Sequence, residues 1–220
     1  MEWSPYSTEN KLLKQFDDVK SHGTKIIIYK LWYLEDGQTE LDFDSDMDDI
    51  LLRRISKINQ KTSNRLIAQH ISTLLHYSRA YSSILYQRPP KNFKTILHGK
   101  EEEHYSITDE FKITELDSYK PQVSGMEIFP VYTVIGFTNE APLINVHGFN
   151  VYHKNRLILP FHRVFEESGS RGRGIVGVLE ANCIESIHNM QDFERTQTFN
   201  KIENRMKQLT TEYWKMNFNY

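Results

Sequence analysis

The amino-acid sequence predicts a mixed α/β (α+β) fold, in which short strands in the middle of the chain precede one long C-terminal helix. We predict strands at 93–97, 131–137, 144–152, 156–159 and 175–179, where β-forming residues are bounded by turn residues. Six apolar residues near the C-terminus recur at spacings of three and four: Phe199, Ile202, Met206, Leu209, Tyr213 and Met216. Because this spacing places them on one helical face, we expect that face to pack on the sheet.

Three further elements precede the central strands. Residues 8–21 predict a short amphipathic helix with Ser7 or Thr8 as its N-cap. Residues 24–32 are rich in β-forming side chains and predict a well-buried strand. An acidic connector follows, and residues 66–86 then predict a second helix.

The composition indicates a soluble protein of the cell interior. The 27 basic and 29 acidic residues give a net charge of −2, so the bulk charge does not indicate a nucleic-acid partner. Cys183 is the single cysteine, which excludes an internal disulfide and fits a reducing compartment. No apolar stretch approaches the roughly 18 residues of a membrane span, and the N-terminus does not resemble a signal peptide. We therefore expect no membrane partner.

Neither a metal site nor a thiol active site is expected. The acidic run 42–49 lacks the glycine and the glutamate of a calcium loop, because Met47 and Arg53 occupy those positions. We therefore expect a solvated connector there. Cys183 and His188 could suggest thiol catalysis, but the sequence supplies no third group to orient them.

A local excess of positive charge surrounds the glycine- and arginine-rich loop 170–174. Arg171 and Arg173 lie within it, and Lys154 and Arg156 precede it. These four side chains are candidate phosphate or nucleic-acid contacts, since loop amides and cations can hold a phosphate. The favoured alternative is a hairpin that needs glycine for its backbone angles.

A polar turn, 188–193, lies immediately ahead of the C-terminal helix. Asp192 would suit the first turn of that helix electrostatically. The first free amides of the helix would point towards whatever lies before them.

Several segments, taken together in order and spacing, resemble the microrchidia (MORC) family and most of all its plant members. The segments are 22–29 (HGTKIIIY), 40–44 (ELDFD), 145–158 (NVHGFNVYHKNRLI), 170–182 (SRGRGIVGVLEAN), 188–195 (HNMQDFER) and 212–214 (EYW). The resemblance covers the chain from about residue 5 to 216. Family members are ATPases with a Bergerat-type (GHKL) nucleotide-binding sandwich, followed by a transducer domain.

The resemblance implies two domains in this chain. Residues 1–33 are similar to the last helix and strand of the nucleotide sandwich, and residues 34–220 to the transducer, whose fold is that of the second domain of ribosomal protein S five. By this resemblance Thr24 would be the one contact on the adenine side, and Gly23 would lie near the nucleotide. We identify none of the family's other nucleotide-binding motifs, so the chain resembles a truncated copy that should not bind or hydrolyse ATP alone.

The resemblance also implies a nucleotide sensor in the 188–193 turn. The family carries there a lysine that reaches the γ-phosphate, and this chain has Met190, which brings no charge. His188, Asn189 and Gln191 would be the nucleotide-proximal residues beside it. No catalytic residue is therefore expected. Further departures from the plant pattern are Lys30 and His162.

The family's implied role is in the nucleus, in chromatin compaction, gene silencing, plant defence and DNA repair. ATP and magnesium are the cofactors of the intact family, and none is expected for this chain alone. The implied partner is a MORC paralogue or a second copy, with DNA as a candidate. Two alternatives remain open: a nucleic-acid-binding module acting through the 170–174 loop, and a decoy subunit that pairs with an intact paralogue.

Overall fold

The computed structural model describes residues 5–17, 23–28, 31–52, 78–122, 129–138, 147–165, 172 and 174–218. The chain divides into two compact units, Met1–Leu41 and Asp42–Tyr220. The domain division expected between residues 33 and 34 stays a prediction.

The first unit begins with helix α1 (Glu9–Leu13). Its cap is Thr8, whose side chain accepts a hydrogen bond from the Lys11 N–H at 3.4 Å, as predicted. The α-helix is shorter than predicted, because the chain tightens into a 3-10 turn at Lys14–Phe16. None of the α1 residues is buried, and a helix without a packed face is marginal in water.

The predicted strand at 24–32 is wrong where the structure describes it. Residues 23–28 form no strand, and Ile26, Ile28 and Trp32 are 82%, 72% and 78% exposed. A strand is buried by its neighbours, and no strand of the described chain pairs with residues 24–28. Residues 29 and 30 lie outside the described part.

Short elements open the second unit. They are β1 (Leu41–Asp42), β2 (Leu51–Leu52), α2 (Ser78–Ile84), β3 (Thr95–Leu97), β4 (Lys100–Glu102) and a 3-10 turn (Ile107–Glu110). The first two strands pair with each other, and so do β3 and β4. The predicted helix 66–86 is confirmed at α2, and residues 66–77 lie outside the described part. The predicted strand 93–97 is confirmed at β3.

The acidic connector is not uniformly solvated. Asp42 and Asp49 are only 7% and 3% exposed. The Asp49 carboxylate accepts the Ile50 N–H at 2.7 Å and the Arg79 N–H, at the start of α2, at 3.0 Å. Asp42 accepts the Ser45 N–H at 3.1 Å. The expectation of a solvated connector fails at these two carboxylates, because each one satisfies backbone donors.

A five-stranded sheet forms the centre of the second unit, in the order β5-β6-β9-β7-β8. Its strands are β5 (Lys112–Tyr119), β6 (Val131–Phe137), β7 (Gly148–His153), β8 (Arg156–His162) and β9 (Ile175–Glu180). The β7–β9 pair is parallel, and the other three pairs are antiparallel. This mixed sheet with its helices confirms the predicted α/β class.

Two strands differ from their predictions for reasons of sheet position. The sequence did not predict β5, whose alternating charged and apolar residues lie at one edge. At the other edge, β8 continues through Pro160 to His162, three residues past its predicted end at 159. An edge strand tolerates proline because one of its sides forms no ladder hydrogen bonds.

Helix α3 (Gln197–Phe218) packs on one face of the sheet, as predicted. Five of its six stripe residues are buried in the main core: Phe199, Ile202, Met206, Leu209 and Tyr213. The sixth, Met216, is 71% exposed, which corrects the prediction. In this last turn Asn217 faces the sheet instead, since its amide donates to the Glu115 carboxylate at 3.2 Å.

A smaller core covers the opposite face of the sheet. Ile84 of α2 packs there with Tyr152, Leu157, Val176 and other buried residues. Neighbouring residues such as Val151 and Tyr152 belong to different cores because successive side chains of a strand point to opposite faces. The sheet therefore lies between α3 and α2.

Candidate functional site

The 188–193 turn connects the end of the sheet to α3 and is closed by its own backbone. Ser186 and Phe193 form an antiparallel bridge across its base. Within it, the Met190 N–H donates to the Ile187 carbonyl oxygen at 2.9 Å. Phe193 is almost fully buried in the main core, so the turn is anchored at its C-terminal end.

Met190 lies on the inner side of the 188–193 turn. Its φ of 57° is in the left-handed region, and its half-buried side chain packs against the main core. The Ser186 hydroxyl donates a hydrogen bond to its Sδ at 3.0 Å. His188, Asn189 and Gln191 are exposed. The turn therefore presents three polar side chains to solvent and keeps its thioether inside.

Asp192 does not lie in the first turn of the helix, which corrects the electrostatic prediction. Helix α3 begins five residues later, at Gln197. The Asp192 carboxylate instead accepts the Phe193 N–H at 2.7 Å and pairs with Arg195 at 3.0 Å. The capping role belongs to Thr196, whose hydroxyl oxygen accepts the N–H three residues on at 3.2 Å. The available signal was a threonine three residues before the first apolar stripe position.

The end of β7 lies against the 188–193 turn. The ring of His153 meets that of Phe193 edge-on, with centroids 6.1 Å apart. One residue on, the Lys154 N–H donates to the Asn182 side-chain oxygen at 2.6 Å. The structure thus brings Lys154 to the same end of the sheet as the 188–193 turn, although 34 positions separate Lys154 from His188.

A polar network holds the β7–β8 turn. Lys154 and Asn155 both have positive φ, 46° and 73°, as a two-residue hairpin turn requires. The Asn155 N–H donates to Glu180 at 2.8 Å, and Arg88 forms an ion pair with the same carboxylate. Burial raises the pKa of Glu180, but these hydrogen bonds and charges outweigh it and hold the pKa below its ordinary value. Lys154 is exposed and Arg156 half-buried.

The glycines of the 170–174 loop have a conformational explanation. Gly172 and Gly174 are buried, with φ of 83° and 80°. A Cβ on Gly172 would also lie 3.2 Å from the Thr210 methyl group. These angles confirm that the loop needs glycine. The predicted hairpin is wrong, because the loop joins β8 to β9 and β7 lies between these two strands in the sheet. Arg171 and Arg173 lie outside the described residues, and their phosphate contacts stay a prediction.

Two further sequence candidates, the Gly23 and Thr24 pair and the Cys183 thiol, belong to different units. Gly23 and Thr24 lie in the first unit, where both are exposed. Burial raises the pKa of the Cys183 thiol, which disfavours the reactive thiolate. Among the described residues, no three histidine, cysteine or carboxylate side chains are grouped to hold a metal. No helix in the described ranges has the length and apolar character needed to cross a membrane.

The sheet, the helix behind it and the turn between them match a known family. Residues 76–214, more than half of the chain, match the family model described as Morc6 ribosomal protein S5 domain 2-like. The chain belongs to the microrchidia (MORC) family. The MORC match confirms the resemblance found in the sequence and assigns the sheet and α3 to the S5 domain 2-like fold.

The MORC relatives come from plants and animals. Protein MICRORCHIDIA 6 of Arabidopsis thaliana is 54% identical over 215 residues, which are 97% of this chain and 32% of that protein. Protein MICRORCHIDIA 2 of the same plant is 48% identical, with 97% and 35% covered. The MORC family CW-type zinc finger protein 3 of Mus musculus is 30% identical, with 97% and 23% covered. The chain spans about a third of the length of its Arabidopsis relatives.

Proposed function

We propose that this MORC chain is the transducer part of an ATP-gated protein, which relays the state of a nucleotide site to the contact between two subunits. The observation that carries the proposal is the 188–193 turn, with its exposed His188, Asn189 and Gln191 on a backbone closed by hydrogen bonds. Side chains held in one place can sense a ligand without a large ordering cost. The match of residues 76–214 to the MORC family model with the S5 domain 2-like fold supports this assignment.

The route from the turn to the helix is short and apolar. Phe193, at the end of the turn, and Phe199, in the first turn of α3, are both buried with ring centroids 6.2 Å apart. Arg195 lies over the Phe199 ring, with Cζ 4.4 Å from its centroid. A displacement of the turn must therefore move the start of α3 or open a gap in the main core, because packed interiors do not deform gradually.

The proposed activity also requires a nucleotide-binding sandwich, its cofactors and a second subunit. We propose that ATP and magnesium bind a nucleotide sandwich like that of the intact family, and that the partner is a second copy or a MORC paralogue. Chromatin compaction, gene silencing in the nucleus, plant defence and DNA repair are the roles we propose for the assembly. Kinship with the Arabidopsis MICRORCHIDIA proteins supports this part.

The test is ATP-dependent association. The part of MICRORCHIDIA 6 that precedes its counterpart of Gly23 is fused ahead of Gly23 in this chain. Sedimentation of the fusion protein is measured with and without ATP and magnesium. The dimer should form with nucleotide, and Asn189→Ala with Gln191→Ala should weaken that dependence about tenfold, as expected for lost polar contacts. Asn200→Ala with Gln197→Ala is the control, since both side chains are exposed in α3. Equal nucleotide dependence in all proteins would contradict the proposal.

A further inference from the structure

A polar cleft of about 360 Å³ lies where the end of β5 meets α3. Tyr119 and Lys120 line its strand side, and its helix side is lined by Lys201, Asn204, Arg205 and Gln208. Asn204 and Arg205 each lie three or four positions from both Lys201 and Gln208, so the four side chains share one face of α3. The cleft volume falls within the range of small-ligand sites, roughly 300–1,000 Å³. Neither the 188–193 turn nor the β7–β8 turn contributes a residue to this cleft.

The cleft has cations that its own carboxylates do not neutralise. Arg205 is matched, since Asp117 binds it at 2.6 Å and Glu212 at 3.2 Å. Lys120 and Lys201 are different: within the described ranges, neither ammonium has a carboxylate partner. Lys201 is held at the cleft by a hydrogen bond to a backbone carbonyl oxygen, that of Gln122. Two like charges beside one cleft repel each other, and an anion between them would remove that cost.

We propose that this cleft binds a phosphate group. The Lys120 ammonium offers three donors, and the Lys201 ammonium offers two besides its bond to the Gln122 carbonyl oxygen. The Asn204 and Gln208 amides offer two each beside them. Arg205 retains one N–H on Nη2 after its bonds to Asp117 and Glu212. Donors from a strand end and a helix face thus converge on one space, which matches the acceptors of a phosphate. This inference does not depend on the ATP-gated function proposed above.

The phosphate can come from a small compound, such as a diphosphate, or from the backbone of a nucleic acid. Both present the same oxygen atoms to the lysines. They differ in their dependence on salt, because a nucleic acid releases condensed counterions when it binds.

The experiment uses the full chain and inorganic pyrophosphate, titrated by calorimetry and by amide chemical shifts. We expect one binding event, with shifts at residues 119–122 and 201–208. The double variant Lys120→Gln, Lys201→Gln should lose at least about tenfold in affinity, the effect of removing charged hydrogen bonds. The control is Lys91→Gln, Lys215→Gln, which removes the same charge from exposed positions outside the cleft and should bind as the parent does. If the double variant does not fold, the single variant Lys120→Gln replaces it in the titration, since Lys120 is exposed.

A short DNA duplex titrated at two salt concentrations separates the sources. If the duplex loses affinity in the cleft variant but not in the control, the phosphate belongs to a nucleic acid. If the cleft variant binds pyrophosphate more weakly but binds the duplex as the control does, the natural source of the phosphate is a small compound. The proposal is overturned if pyrophosphate does not bind, or if the cleft variant and the control bind it equally.

Discussion

Arg205 of α3 and Asp117 of β5 form a two-point ion pair, with Nη2–Oδ1 at 2.6 Å and Nε–Oδ2 at 3.0 Å. Both side chains are largely buried, and the pair fastens the middle of the helix to the edge strand of the sheet. Its hydrogen bonds to Asp117 keep the pKa of the guanidinium above its ordinary value, so Arg205 stays charged. Loss of the carboxylate would therefore leave a confined cation with only its exposed partner, Glu212.

Asp117→Asn should lower the free energy of unfolding by about 1–3 kcal/mol, because Arg205 loses its main counter-charge. Urea denaturation measures the change. Glu212→Gln is the control, since this half-exposed carboxylate contacts the same guanidinium and should contribute less than about 1 kcal/mol. Equal losses of unfolding free energy in the two variants would show that the less exposed Asp117 contributes no more to stability than Glu212 does.

Two methionines of α3 provide a matched test of its packing. Met206 is 3% exposed in the main core, and Met216 is 71% exposed on the same helix. Met206→Ala should destabilise the chain by about 2–5 kcal/mol through lost burial and the cavity left behind. Met216→Ala should change the stability by less than about 0.5 kcal/mol. A large effect at Met216, measured by thermal or urea unfolding, would mean that another surface covers it.

Alkaline pH should weaken the docking of α3 through Tyr213. Its buried hydroxyl donates to the Ile113 carbonyl oxygen at 2.7 Å. Burial, followed by the charge of Glu115, raises the pKa of Tyr213 to about 12 from an ordinary 10.0. The unfolded chain then releases this proton first, so the stabilisation is complete below pH 10 and is lost as the pH rises through about 12.

Tyr213→Phe removes that proton and should flatten this part of the pH profile. The free energy of unfolding, measured between about pH 9 and pH 12, should fall less steeply in the variant than in the parent. At neutral pH the variant should be less stable by about 1 kcal/mol, because the Ile113 carbonyl oxygen loses its donor. If the pH profiles of parent and variant are parallel, other tyrosines cause the loss of stability at alkaline pH.

We expect Met190 to limit ATP hydrolysis by a complete ATPase built on this chain. With the nucleotide sandwich of an Arabidopsis relative fused ahead of Gly23, Met190→Lys should raise steady-state ATP hydrolysis, by up to about a hundredfold. The reason is the ammonium, which can stabilise the charge that develops on the transferred phosphate. Because the methionine packs inward, the lysine must leave the core, and some stability should be lost.

Met190→Leu separates charge from packing in this experiment. Leucine fills a similar volume without a charge, so its chimera should hydrolyse ATP as slowly as the parent. Equal rates for the lysine and methionine chimeras, both folded and dimeric, would mean that the sensor lies at another residue.

Sequence periodicity correctly predicted the element whose buried face follows from its own residue spacing. The stripe from Phe199 to Tyr213 is buried as its spacing requires, and this one element supplies much of the main core. The same reasoning failed for residues 24–28, 31 and 32, because apolar content cannot reveal whether a partner strand is present. It also missed β5, where Glu115 and Asp117 point towards α3 and make polar contacts with Asn217 and Arg205.

The 188–193 turn was singled out by the family resemblance, and its role as a nucleotide sensor stays a prediction. The segment 188–193 was located correctly as a turn ahead of a helix, but Asp192 lies outside the first helical turn and the sequence analysis did not identify the cap, Thr196. The inward position of Met190 depends on a left-handed φ that sequence spacing does not encode. The cleft lysines, Lys120 and Lys201, are 81 positions apart, so only the folded chain brings them together.

The place of β9 in the sheet sets an order of events during synthesis. This strand is the last of the five along the chain, yet it lies between β6 and β7. Until it has left the ribosome, the β5–β6 and β7–β8 hairpins share no strand, and an isolated two-stranded hairpin is marginally stable in water. The nascent chain therefore carries two unjoined hairpins until Glu180 emerges. Ile135, Phe149 and Val151 stay uncovered until α3 has also been synthesised. The nascent chain would therefore expose its largest apolar surface to chaperones during that interval.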